Sequence, residues 1–171
     1  MSDAFRLPPV DDVVAAALAE DFGVTVEALL TPTPGLLERD VTGSLLPAAA
    51  RFDGLVRARS AGVICGLPVA CRVFEMLASA SGFEAPKCFA LVAEGSDVWA
   101  GRPVMEVKGP ARLVLAGERT ALDFLMVLSG IATTAARWQE AAGDVMNVTD
   151  TRKTLPGPGR CRSTPCAWAA R

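Results

Sequence analysis

Three stretches of the chain carry apolar residues at the spacing of an amphipathic α-helix, which gathers them on one face. Pro9 lies near the start of the first stretch and Gly23 follows its end, as is typical of helix boundaries. In the third stretch, small residues around Ser129-Gly130 indicate either close helix packing or a kink. The predicted helices cover residues 9–22, 68–80 and 111–142.

Other stretches favour extended structure. Partial alternation with β-branched residues over 51–66, broken at Ala61-Gly62, predicts a β-hairpin. Further strands are predicted at residues 88–92, 98–108 and 144–151, with a turn at 94–97 and a Pro-rich loop at 31–35. The order predicts a compact α+β domain to about residue 110 and then a long helix that enters a new unit. A strand with polar residues at its C-terminal tip is typical of the start of an α/β barrel.

Composition narrows the function classes. Apolar residues make up 51% of the 171 residues and charged residues 21%, which indicates a globular protein. The net charge is −2 with no basic run, so the pattern of a nucleic-acid-binding protein is absent. No apolar stretch is long enough to predict a membrane span, and the first residues do not resemble a signal peptide. We therefore expect no nucleic-acid partner, no membrane association and a cytoplasmic location.

Cysteine and histidine usage limits the chemistry further. The five cysteines form no CxxC pair, and we expect reduced thiols. The chain contains no histidine, which removes Ser-His and Cys-His nucleophile pairs and the commonest metal ligand from these 171 residues.

The segment Asp150 to Gly157 is the strongest candidate site. Arg152 offers a planar bidentate fork, Lys153 a mobile positive charge and Thr151 a short hydroxyl, which together suit carboxylate and phosphate oxygens. The alternative is an exposed basic dipeptide in a turn, and spacing alone leaves both open. Arg119, early in the third helix, is a second candidate, although spacing alone favours a solvated position with an ion pair to Glu118.

Five stretches together resemble one known enzyme family, in that family's order. The first three are short, and the fourth and fifth are specific: Gly117-Glu118-Arg119-Thr120-Ala121-Leu122 running into Leu128-Ser129-Gly130-Ile131-Ala132-Thr133, and Asp150 to Gly157. The short ones are Ala19-Glu20-Asp21-Phe22, Asp40-Val41-Thr42 with Leu45-Leu46-Pro47, and Gly62-Val63-Ile64-Cys65-Gly66. On these residues the chain resembles quinolinate phosphoribosyltransferase.

The resemblance implies a fold and a reaction. The expected fold is an N-terminal α+β sandwich domain (residues 1–110) followed by a long helix and the first strand of an incomplete α/β barrel (residues 111–157). The expected reaction joins quinolinate to phosphoribosyl pyrophosphate and gives nicotinate mononucleotide, pyrophosphate and carbon dioxide, a step of NAD biosynthesis. Mg²⁺ would accompany the phosphoribosyl donor rather than a dedicated protein site.

The resemblance also assigns roles to residues. Arg119 would reach across a homodimer interface to a quinolinate carboxylate in the partner's site. Arg152, with Thr151, would bind quinolinate in the site of its own chain, and Lys153 would hold phosphate or pyrophosphate oxygens.

Three features depart from the family pattern. Asp123 stands where the family usually has asparagine, the loop at residues 31–35 is long, and residues 158–171 leave the pattern altogether. A one-nucleotide frameshift near codon 158 would explain this tail, and it leads us to expect a truncated chain that is inactive alone. The helix from residue 111 would then expose apolar side chains, which favours self-association: Leu115, Leu122, Leu125, Ile131 and Trp138. The alternatives are a molybdenum-operon relative of the same family and a non-catalytic dimerisation or regulatory fragment.

Overall fold

Five α-helices and five β-strands form the structure over residues 10–149, the part of the chain that the computed structural model describes. The helices are α1 Asp11–Phe22, α2 Val26–Leu30, α3 Val41–Ser44, α4 Leu67–Ser81 and α5 Ala111–Ala142. The strands are β1 Arg51–Arg57, β2 Gly62–Val63, β3 Lys87–Ala90, β4 Asp97–Val98 and β5 Pro103–Pro110, and a 3₁₀ turn covers Leu37–Arg39.

The three predicted helices are confirmed as α1, α4 and α5, each within two residues at either end. Gly23 ends α1 in the left-handed conformation (φ 60°), and its N–H donates to carbonyl oxygens of the last helical turn. The predicted loop at residues 31–35 is also confirmed. The short helices α2 and α3 were not predicted. Asp40 begins α3 because its carboxylate accepts hydrogen bonds from the N–H groups of Thr42 and Gly43, both at 3.1 Å.

The predicted hairpin over residues 51–66 is wrong, although both of its strands exist. β1 pairs with β5 in a three-stranded antiparallel sheet of order β1-β5-β3, whereas β2 pairs with β4 in a separate two-stranded sheet. At the end of β1 the N–H of Ala58 donates to the carbonyl of Arg102, and Gly101 N–H donates back to Ala58. These non-local bonds satisfy the backbone that a hairpin would have paired locally, and Ser60-Ala61 lacks the residues of a tight hairpin turn.

One hydrophobic core joins α1, α4 and α5 to the strands. On α4, Val69, Val73 and Leu77 are at most 2% exposed, in agreement with the helical spacing that predicted them. Helix α5 buries Leu125 at 5% exposure, so the expectation that Leu125 would be exposed is wrong. Trp138 lies near the C-terminal end of the same helix and is 67% exposed, as expected. The inner face of α5 is thus part of the same core as the residues before position 110, and the boundary between residues 110 and 111 stays a prediction.

The small residues of α5 allow close packing, and the helix is continuous through Ser129-Gly130. Val63 N–H donates to the Thr133 hydroxyl at 2.9 Å, and Cys65 N–H donates to the Ser129 hydroxyl at 2.9 Å. A Cβ on Gly62 would lie 2.5 Å from Thr133 Oγ1, so the approach of β2 to the helix requires glycine there. The element that packs against this face is extended backbone rather than a second helix.

The strand predicted for residues 144–151 is not found over residues 144–149, and the remainder lies outside the described residues. The backbone here bonds to one side chain instead of a neighbouring strand. Gln139 Nε2 donates to the carbonyls of Gly143 and Met146, both at 3.1 Å, and Val148 N–H donates to Gln139 Oε1 at 2.8 Å. None of the helices between residues 10 and 149 combines the length and apolarity needed to cross a membrane.

Candidate functional site

Arg119 lies in the third turn of α5, next to the buried residues Ala116 and Thr120. Its side chain is 73% exposed, so the guanidinium is accessible to a ligand or to another protein. The ion pair that spacing predicted with Glu118 is replaced by one with Asp21 at the end of α1. The ion-pair partner suggested by spacing was therefore wrong, and the role of Arg119 stays a prediction.

Asp21 is held on two sides. Its Oδ1 pairs with the Arg119 guanidinium, while its Oδ2 accepts a hydrogen bond from the Thr120 hydroxyl at 3.1 Å. The Asp21 side chain is only 12% exposed and Thr120 is 5% exposed, so the carboxylate is fixed at the junction of α1 and α5. A carboxylate fixed in this way restricts the orientation of the arginine, whose other guanidinium donors remain directed to solvent.

The three other predicted site residues, Thr151, Arg152 and Lys153, lie outside the described residues. Their roles stay predictions. The chain that leads to them is described as far as Thr149, and Gln139 holds it beside the C-terminal end of α5.

A cleft of about 850 Å³ opens beside the same helix, between α5 and the segment from β1 to β2. Its floor is apolar, with Phe52, Val56 and Leu125 among its lining residues. Three arginines and one glutamate also line the cleft: Arg57, Arg59, Arg137 and Glu118. Arg119 is not part of this lining, so the cleft and the Arg119 guanidinium occupy adjacent faces of α5.

Glu94 is a structural carboxylate that periodicity could not identify. It accepts hydrogen bonds from Gly66 N–H at 3.0 Å and from Leu67 N–H, at the N-terminus of α4. Burial raises the pKa of the Glu94 carboxyl, although the two backbone N–H groups act in the opposite direction. The motif Gly62 to Gly66 is thereby held by Glu94 on one side and by α5 on the other.

Comparison with known proteins gives one consistent family. The sequence profile described as "Quinolinate phosphoribosyl transferase, N-terminal domain" matches residues 40–129. The nicotinate-nucleotide pyrophosphorylase (carboxylating) of Mycobacterium leprae is 34% identical over 149 residues, which are 85% of this chain and 46% of that protein. The enzyme of the same name from Homo sapiens is 36% identical over 157 residues, 90% of this chain and 46% of its own length.

Comparison with solved structures gives the same family as the sequence comparison. NadC from Streptococcus pyogenes superimposes with a TM-score of 0.79 at 28% sequence identity, over 98% of this chain and 54% of that one. The match confirms the predicted fold class, an α+β N-terminal domain followed by the start of an α/β barrel. The chain spans about half the length of the relatives it matches.

Proposed function

Because the chain belongs to the quinolinate phosphoribosyltransferase family, we propose that it supplies Arg119 to a site that binds quinolinate during phosphoribosyl transfer in the cytoplasm. The main support for this proposal is the exposed guanidinium of Arg119. It pairs with Asp21, and Thr120 holds Asp21 at the α1–α5 junction. The expected products are nicotinate mononucleotide, pyrophosphate and carbon dioxide. The relatives named for this activity support the proposal.

Quinolinate is a dianion at neutral pH, and guanidinium groups bind carboxylates through two parallel hydrogen bonds. Arg119 has guanidinium N–H groups that can bind a ligand, since its one described partner is Asp21. Charge-assisted hydrogen bonds contribute about 1.5–3 kcal/mol each. Arg152 with Thr151 is proposed to bind the same ligand, and Lys153 the phosphate oxygens of phosphoribosyl pyrophosphate.

The geometry of α5 favours an arrangement in which Arg119 serves the site of a second copy of the chain. Twenty residues of helix separate Arg119 from Gln139, which corresponds to about 30 Å. Val148 is tied to Gln139, and the four residues from there to Arg152 span at most about 14 Å. Within one chain, even a straight run of those residues back along the helix would leave about 16 Å between the two backbones. A homodimer has no such constraint.

The surface beside Arg119 also suits a second copy. Met126 and Val127 are 63% and 53% exposed on α5, next to the cleft with its apolar floor. Exposed apolar side chains of this size around a cleft are typical of protein interfaces. We propose that the homodimer interface covers this face.

Mg²⁺ is proposed to arrive with phosphoribosyl pyrophosphate, where it would neutralise the charge of the leaving pyrophosphate. Among residues 10–149 no cluster of three metal-ligating side chains occurs. Asp21, the carboxylate nearest to Arg119, is already committed to Arg119 and Thr120. We therefore propose that oxygen atoms of phosphoribosyl pyrophosphate coordinate the ion.

Quinolinate binding to the purified chain, measured by isothermal titration calorimetry, tests the proposal. Arg119→Ala should weaken binding about tenfold or more, the equivalent of at least one lost charge-assisted hydrogen bond. Arg51→Ala is the matched control, because Arg51 is also exposed and also forms a single carboxylate pair, with Glu84 at 2.8 Å. Equal binding by the two variants would contradict the role of Arg119.

A second measurement separates binding from turnover. A polypeptide of these 171 residues, given quinolinate and phosphoribosyl pyrophosphate, is expected to form no nicotinate mononucleotide, and product above the blank would contradict this expectation. Dimer formation without quinolinate binding would instead favour a non-catalytic dimerisation fragment.

A further inference from the structure

Two cysteines from different elements share the space between α4 and the three-stranded sheet. Cys71 lies on α4 with its Sγ 3.8 Å from the sulfur of Met105 on β5. Cys88 lies on β3 opposite Val107, and Ala90 lies opposite Met105. Because paired residues point to the same face, as do residues two apart on a strand, Cys88 stands beside Met105 on the face that Cys71 contacts.

Both thiols are half-buried rather than sealed in the core, whereas Met105 is 1% exposed. The two thiols are also close enough for each to shift the pKa of the other. A small oxidant can therefore reach both sulfur atoms.

We propose that Cys71 and Cys88 form a reversible disulfide when the protein meets a peroxide. The cross-link would join α4 to β3, an edge strand whose neighbour in the sheet is β5. This modification site is independent of the quinolinate-binding proposal.

The chemistry is a two-electron oxidation that balances with hydrogen peroxide. The Cys71 thiolate attacks one peroxide oxygen and the O–O bond breaks, which leaves a sulfenic acid on Cys71 and a hydroxide that takes the former thiol proton to become water. The Cys88 sulfur then attacks the Cys71 sulfur, the S–O bond breaks, and the hydroxyl leaves with the Cys88 proton as a second water. Two thiols are oxidised to one disulfide while peroxide is reduced to two waters.

The surroundings assign the two roles. The hydrogen bond from Cys88 lowers the pKa of Cys71, against the opposing effects of burial and of the negative charges on Glu75 and Glu94. The same contact, with burial, raises the pKa of Cys88. These directions favour Cys71 as the thiol that reacts with the oxidant and Cys88 as the thiol that resolves the sulfenic acid.

Peptide mapping after peroxide treatment tests the proposal. The full chain is exposed to limiting hydrogen peroxide, its remaining thiols are alkylated, and it is digested with trypsin without reduction. The expected product joins the peptide of residues 60–72 to that of residues 88–108, less two hydrogens, and dithiothreitol should separate them. Cys161 and Cys166 lie on other tryptic peptides and do not confuse this assignment.

Cys65 is on the same peptide as Cys71, so a matched variant is required. Cys65→Ser should still give the cross-linked pair, while Cys71→Ser and Cys88→Ser should each abolish it. The oxidised wild-type protein should also unfold at a higher urea concentration than the reduced protein, with no such shift in Cys71→Ser. The proposal is overturned if the cross-link persists in Cys71→Ser, or if the wild-type protein gives only sulfinic acids or other pairings.

Discussion

Replacing Thr133 with valine measures the contact between α5 and β2 directly. The Thr133 hydroxyl accepts the Val63 N–H at 2.9 Å, and Val63 is 6% exposed. Valine keeps the side-chain shape and removes the acceptor. A buried donor left without its partner costs about 1–3 kcal/mol. Thr133 is half-buried, so water partly replaces the bond, and we expect about 1–2 kcal/mol of lost stability.

The neighbouring Thr134→Val is the control for this change. Thr134 is exposed, and its hydroxyl donates only to the Gly130 carbonyl of the same helix, at 2.8 Å. The two substitutions alter helix propensity equally, and the control should stay within about 0.5 kcal/mol of wild type. Urea unfolding gives both free energies, provided that the slope against denaturant is unchanged. If Thr133→Val is no less stable than Thr134→Val, the hydrogen bond does not hold β2 to the helix.

Three further changes test other contacts. Asp21→Asn should keep the Thr120 bond but lose the charge that orients Arg119, so quinolinate binding should weaken less than in Arg119→Ala; an unchanged calorimetric affinity would count against a positioning role. Glu94 has a raised pKa, so its contribution is present below about pH 4.3 and is lost as pH rises. Urea midpoints from pH 4 to 7 should therefore fall more steeply in wild type than in Glu94→Gln, and parallel curves would refute this. Leu113 is fully buried, so Leu113→Ala should lower the free energy of unfolding by about 2–5 kcal/mol in the same denaturation assay. A decrease under about 1 kcal/mol would contradict the place of Leu113 in the core.

Helical periodicity was sufficient to predict α1, α4 and α5, because their buried positions recur within each helix and need no knowledge of distant residues. Pro9 and Gly23 helped for the same reason, since capping is local. The small residues near Ser129 also predicted a local feature of α5, but they left two alternatives open, close packing and a kink. Sequence alone could not tell that an extended strand, with its own glycine at position 62, would fill the space they leave.

The failures involve partners that are remote along the chain. β1 pairs with β5 rather than with β2. Residues 51–66 contain no feature from which this pairing with a distant strand could be predicted. Asp21 was visible as part of a short motif, yet its contact with Arg119 joins residues almost one hundred positions apart, which spacing cannot reveal. The exposure of Leu125 was wrongly predicted because α5 was treated as a unit separate from the residues before it.

The sharing of α5 with the core has a consequence for the order in which the protein can fold during its synthesis. The bond between Thr120 and Asp21 spans 99 positions, and that between Thr133 and Val63 spans 70. Until residues near Thr133 have been made, the apolar faces of α1, α4 and the sheet have no complete cover. Contacts this remote close slowly, and exposed apolar faces invite aggregation meanwhile. A nascent chain that pauses shortly before α5 is therefore the species for which we expect the greatest need of a chaperone.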